Sequence, residues 1–115
     1  MQNNKNNANR KDVRERVIPL ANLVDYQDGA VVSRTVIKTK SGTVTPFAFD
    51  EGQALSEHVA PFDALAYILE GAVKIRIAGR PFEVQEGQML VMPANKPHSL
   101  SATQQFKMLL VMIKK

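Results

Sequence analysis

The sequence predicts an all-β domain, a barrel or a sandwich, with one short helical turn near its start. From Ala30 onward, short apolar stretches alternate with turn residues at intervals of about eight to twelve positions, the rhythm of a compact antiparallel fold. Glycine and proline supply the punctuation, and no stretch shows the apolar spacing of an amphipathic helix.

The elements follow in order. Leu20 to Asp25 reads as the helical turn, and the strands are expected over 30–38, 43–49, 55–60, 64–69, 72–78, 82–85, 88–92, 98–102 and 106–113. Gly42, Gly52, Gly71, Gly79 and Gly87 fall between them, where backbone of positive φ turns the chain, and Pro61, Pro81, Pro93 and Pro97 stand where a central ladder position is excluded. Parity sorts the faces. Val73, Ile75 and Ile77 share one side of their strand, with Lys74 and Arg76 on the other, so that strand is half buried. The stretches 64–69 and 108–113 are apolar on both faces. One face is expected to cover the lumen and the other a second subunit, which predicts a homodimer.

A chain of 115 residues accommodates one core, expected over 17–115 behind a flexible basic arm at 1–16. That arm holds Lys5, Arg10, Lys11, Arg14 and Arg16 against Asp12 and Glu15, a net +3 of the chain's +4. It has neither aromatic residues for stacking nor a base-reading element, so it reads as a solvated tail and nucleic acid is not the expected partner. The opening residues lack the apolar core of a signal peptide, and no apolar run reaches the roughly 20 residues of a membrane helix, so the expected location is the cytoplasm and no membrane partner is expected. With no cysteine, thiolate metal sites, disulfides and cysteine nucleophiles are excluded. Any metal must be held by other donors.

Two clusters carry chemistry. In the first, Gly52 is followed after five residues by His58, then Ala60, Ala64 and Gly71; in the second, Gly87 is followed after five residues by Pro93, then Asn95, His98 and Ala102. These spacings resemble the two motifs of the cupin superfamily, with Gly52, His58, Gly71, Gly87, Pro93 and His98 at family positions. The resemblance implies a double-stranded β-helix, a jelly-roll-like β-barrel in which His58 and His98 converge on the lumen. It also implies a metal there: two imidazoles accept Zn²⁺, Fe²⁺, Ni²⁺ or Cu²⁺, and Mn²⁺ is a further candidate. Ala60 stands where the family has its second histidine and Ala64 where it has its glutamate, so half of that ligand set is replaced. Asp63 is the better candidate for a third ligand, ahead of Glu57 and Gln53.

Phe47, Phe49, His58, Ala60, Ala64, Ala66, Ile68 and His98 are therefore the expected lumen wall, with His58 and His98 as the metal contacts and the small residues leaving room for an organic ligand. Met89, Met92, Met108 and Met112 read as core packing rather than as a soft-metal site. Two functions stay open. One is a metal-dependent enzyme of dioxygenase-like or isomerase-like chemistry acting on a small organic molecule. The other is a metal-free, non-catalytic module that binds or senses such a ligand, with the histidines as hydrogen-bonding anchors. No Ser-His-Asp set or carboxylate pair offers a third route.

Overall fold

Ten antiparallel strands pack as two sheets in a computed structural model that describes residues 12–114. They are β1 (Val31–Ser33), β2 (Ile37–Thr39), β3 (Gly42–Phe49), β4 (Ala54–His58), β5 (Asp63–Glu70), β6 (Ala72–Ile77), β7 (Arg80–Gln85), β8 (Met89–Met92), β9 (His98–Ser101) and β10 (Phe106–Ile113), preceded by one 3-10 turn, Leu20–Leu23. The larger sheet runs β1-β3-β10-β5-β8 with β2 also on β3; the smaller runs β4-β9-β6-β7. This is the jelly-roll-like β-barrel that the motif spacing implies. Of the expected basic arm, residues 1–11 lie outside the described residues, and in the remainder Arg14 pairs with Asp12 at 3.0 Å.

Alternation decides what is buried. On β6, Val73, Ile75 and Ile77 face inward while Arg76 is exposed; on β5, Ala64, Ala66 and Ile68 are inward and Tyr67 is outward. Phe49 and Phe106, each fully buried, stack with ring centroids 4.5 Å apart, and Ile68, Ile75 and Met108 close the core around them. The single strand expected over 30–38 is two, β1 and β2. The intervening chain stays beside β3 through Arg34 N–H to Pro46 O (3.1 Å) and Val36 N–H to Val44 O (2.9 Å).

Two irregularities interrupt the ladders. Between Leu55 and His58 the pairing of β4 with β9 shifts, so that Leu55 opposes Leu100 and His58 opposes His98. Ser56 and Glu57 on β4 thus stand against Ser99 alone on β9, the signature of a β-bulge. A second shift on β10 separates Lys107, opposite Glu70, from Met108, opposite Ile68. Lys107 is buried there, and its ammonium donates to Ala21 O (2.7 Å) and lies over the Tyr26 ring, which anchors the 3-10 turn to the barrel. Among the described residues no helix is long and apolar enough to cross a membrane.

Candidate functional site

His58 and His98 arrive from neighbouring strands of the smaller sheet and sit directly opposite each other, ring centroids 4.4 Å apart with the planes at 68°. Local turns deliver both. Pro93 to Pro97 forms the approach to β9, and within it Asn95 adopts φ 67°, the left-handed geometry that asparagine tolerates. Asn95 N–H donates to Ala60 O (2.8 Å) and Ala94 N–H to the Asp63 carboxylate (2.8 Å), so the turn before His98 is tied to the segment after His58.

Each ring is oriented by a main-chain carbonyl two residues earlier. His58 Nδ1 donates to Ser56 O at 2.9 Å and His98 Nδ1 to Lys96 O at 3.3 Å. A carbonyl can only accept, so both Nδ1 atoms carry a proton, and in the neutral ring the lone pair then lies on Nε2. His98 is 6% exposed, and burial, with the neighbouring His58 adding to it, holds its pKa below the usual histidine value against the opposing pull of the Lys96 carbonyl. The shift favours the neutral ring.

The pair borders a cavity of about 50 Å³ between the sheets. The smaller sheet contributes Leu55 and Leu100 beside the histidines, and Ala60 closes one side. The facing wall is Ala64 of β5, Met92 of β8, and Met108, Leu110 and Met112 of β10. Among the described residues, the two histidines are the only titratable side chains on this lining. A space of that size accommodates roughly three or four waters, or a compact group of similar bulk.

Of the eight residues expected on the lumen wall, His58, Ala60, Ala64 and His98 line this cavity. Phe47, Phe49, Ala66 and Ile68 are packed at the next level of the interior, where the stacked phenyl rings fill the space between the sheets, so the opening is confined to the histidine end. Asp63 is exposed on the other face of β5 from Ala64, where it caps Ala94, and Glu57 is exposed; neither meets the imidazoles. Met92, Met108 and Met112 border the cavity, whereas Met89 points outward and is 57% exposed. Parity from His98 locates Leu100, but Leu55 is out of phase with His58 and only the bulge brings both to one side.

The donor set can be tested against the metal that the resemblance implies. A catalytic divalent centre usually has three protein ligands and an open position. Here Ala60 and Ala64 both line the cavity without a donor atom, and among the described residues no third His, Cys, Asp or Glu joins the pair. The residues do not fit a Zn²⁺, Fe²⁺, Ni²⁺ or Mn²⁺ catalytic site of that kind.

The comparisons with known proteins agree with this architecture. A conserved protein of unknown function from Streptococcus pyogenes is 37% identical, with a TM-score of 0.85 over 89% of this chain and 90% of that one. A cupin superfamily protein from Desulfitobacterium hafniense is 27% identical, with a TM-score of 0.84 over 89% and 94%. A cupin 2 conserved barrel domain protein from Leptotrichia buccalis is 40% identical, with a TM-score of 0.80, and the match covers 82% of this chain and 46% of that one. A search of curated proteins finds no match. The family model for the cupin domain matches residues 47–114, from β3 to the end of β10 and across both histidines, and the chain belongs to the cupin family.

Proposed function

We propose that this cupin is a small-molecule binding module whose ligand enters the lumen at the histidine end and is anchored by His58 and His98. The observation that carries the reading is the paired imidazoles, each with Nδ1 committed to a carbonyl and Nε2 free, beside an otherwise apolar cavity. Such a site suits a compact, largely apolar molecule bearing a hydroxyl, enol or N–H that donates to Nε2. Binding is favoured over turnover because, among the described residues, no carboxylate and no third histidine borders the cavity. The chemistry open to the residues themselves is acceptance of a proton by the neutral His98.

The test is a screen of small phenols, enols and alcohols against the full chain, followed by histidine side-chain ¹⁵N resonances. Binders should perturb Nε2 of His98 and lose affinity in His58→Ala and His98→Ala. A panel whose binders all act elsewhere on the barrel would sink the idea.

The outer face of the larger sheet supports a homodimer. Val91, Leu65, Val111, Val44 and Ile37 lie in register across it, and Met89, Tyr67 and Leu109 form the adjacent row, which ends at Pro46, already buried within the chain. Both rows are free of charge, so two copies meeting about a two-fold axis bring no like charges together. Sedimentation of the full chain as a monomer at high micromolar concentration would refute this part.

A further inference from the structure

We infer that the chain carries a second binding site outside the lumen, a cleft that takes a small organic carboxylate with an apolar body. It lies where the two sheets part. β7 is an edge of the smaller sheet and β8 an edge of the larger, and between them runs an open cleft of about 250 Å³. No described residue lines both this cleft and the histidine cavity, so the site does not depend on what the histidines hold.

Strand register explains how a cation reaches such a place. Arg80 stands opposite Ile77 and Phe82 opposite Ile75 in the ladder of β6 with β7. Opposed residues project to one face, so Arg80 and Phe82 share the inward side with two buried isoleucines. Leu90 meets them from β8, where it opposes the buried Ala66. The floor is thus apolar, made by Ile77, Phe82, Leu90 and Pro93. Lys96, from the turn before β9, brings a second cation to the same lining. Among the described residues no carboxylate borders the cleft, and neither cation has an ion-pair partner.

Both cationic segments are fixed before any ligand arrives. The guanidinium carbon of Arg80 lies 5.2 Å from the centroid of the Phe82 ring, which reduces the rotamer freedom that a long side chain gives up on gripping an anion. Ala78 and Gly79 turn the chain into β7 with φ 49° and 83°, and Ala78 N–H donates to Pro97 O (2.8 Å), which ties the Arg80 hairpin to the Lys96 turn. Left-handed backbone is costly for alanine, so this tie holds a strained residue in place.

The chemistry selects the ligand. A planar guanidinium pairs with a carboxylate through two parallel N–H donors, and an ammonium beside it adds a point charge. Two cations without a carboxylate favour an anion, and the apolar floor favours one with a hydrocarbon body over a bare, strongly hydrated ion. The volume lies below the roughly 300–1,000 Å³ of pockets for drug-sized molecules, which limits that body to one or two rings. Another strand is a poor occupant, because Pro81 within β7 and Pro93 just after β8 lack the N–H that a ladder needs.

The experiment follows backbone amide resonances of the ¹⁵N-labelled full chain titrated with 2-naphthoate and, separately, with its neutral amide and with inorganic phosphate. 2-Naphthoate should shift the amides of Ala78, Gly79, Arg80 and Lys96 along one saturable curve, with a dissociation constant of about 1 mM or below. The amide and phosphate should each bind at least about tenfold more weakly, because one lacks the charge and the other the apolar body. Arg80→Gln and Lys96→Gln, on different elements and both at exposed positions, should each weaken 2-naphthoate at least about fivefold with circular dichroism unchanged. The His58→Ala/His98→Ala variant should bind it as wild type does. No saturation by about 20 mM, equal binding of the amide or of phosphate, or indifference to both cation changes overturns the inference and leaves Arg80 as a charge that guards a sheet edge. Binding lost in the histidine variant would assign the carboxylate to the lumen and overturns it as well.

Discussion

Replacing His98 by leucine separates a histidine kept for its chemistry from one kept for the fold. His98 is 6% exposed, and its one hydrogen bond to protein is the 3.3 Å contact with Lys96 O. Leucine is of similar size and would face Leu100, Met92 and the other apolar residues of the cavity. Losing that bond costs about 0.5–1.5 kcal/mol at most, since the carbonyl belongs to an exposed residue that water reaches. Burying an apolar side chain in its place returns about 1–2 kcal/mol. His98→Leu should therefore leave stability unchanged or raise it by about 1 kcal/mol, a rise of the thermal midpoint of up to about 5 °C.

The pH dependence sharpens the test. The folded pKa of His98 lies below its unfolded value, so the neutral ring contributes stability that is fully present above about pH 6.5. As the pH falls from there the unfolded chain takes up a proton that the folded chain resists, and stability drops by up to about 1.4 kcal/mol per pH unit until the folded pKa is reached. Urea unfolding at pH 7.5, 6.5, 5.5 and 4.5 should show this slope in the wild type and its reduction in His98→Leu. A variant destabilised by more than about 2 kcal/mol at pH 7.5, with the slope unchanged, would refute the reasoning and make His98 a structural residue.

Three other outcomes are expected from the same geometry. Ala60→His places a third imidazole on the cavity wall; with Zn²⁺ at about 100 times the dissociation constant the folded state gains about 2.7 kcal/mol, a rise of roughly 10 °C by scanning calorimetry that wild type should not show. Gly71→Ala should destabilise by about 2–4 kcal/mol in urea unfolding, because Gly71 has φ 79° and an added Cβ meets the Gln105 carbonyl and sits 2.9 Å from Phe106 Cβ. Val111→Lys, at the centre of the uncharged outer row, should shift the sedimentation coefficient to that of a monomer with little change in circular dichroism.

The fold is legible in the sequence because its cues are local. Val73, Ile75 and Ile77 alternate inward as parity requires, and the glycines at 52, 71 and 87 take positive φ at the turns. His58 and His98 are legible as partners through the motif spacing alone. The depth of the cavity is not, because it depends on how far the phenyl rings of Phe49 and Phe106 fill the interior, and that is a matter of packing between strands far apart in sequence. Met92 lies in the core and Met112 packs against it, as their reading as packing residues expects. Nothing in either segment announces that both stand opposite Ala64; only the register of β5 with its two neighbours does.

The surplus residue in β4 bears on how such a site is specified. Ser56 falls in the stretch where the ladder with β9 shifts, and its carbonyl receives His58 Nδ1–H. Shorten the strand there by one residue and a regular ladder would still run from Leu55 opposite Leu100 to His58 opposite His98. The imidazoles would remain neighbours, but the Ser56 carbonyl would be drawn back into line. The extra residue therefore does not bring the rings together. It acts as a keying element: it tells one ring which nitrogen to offer the lumen, so a one-residue deletion can silence the site while every side chain named in it remains.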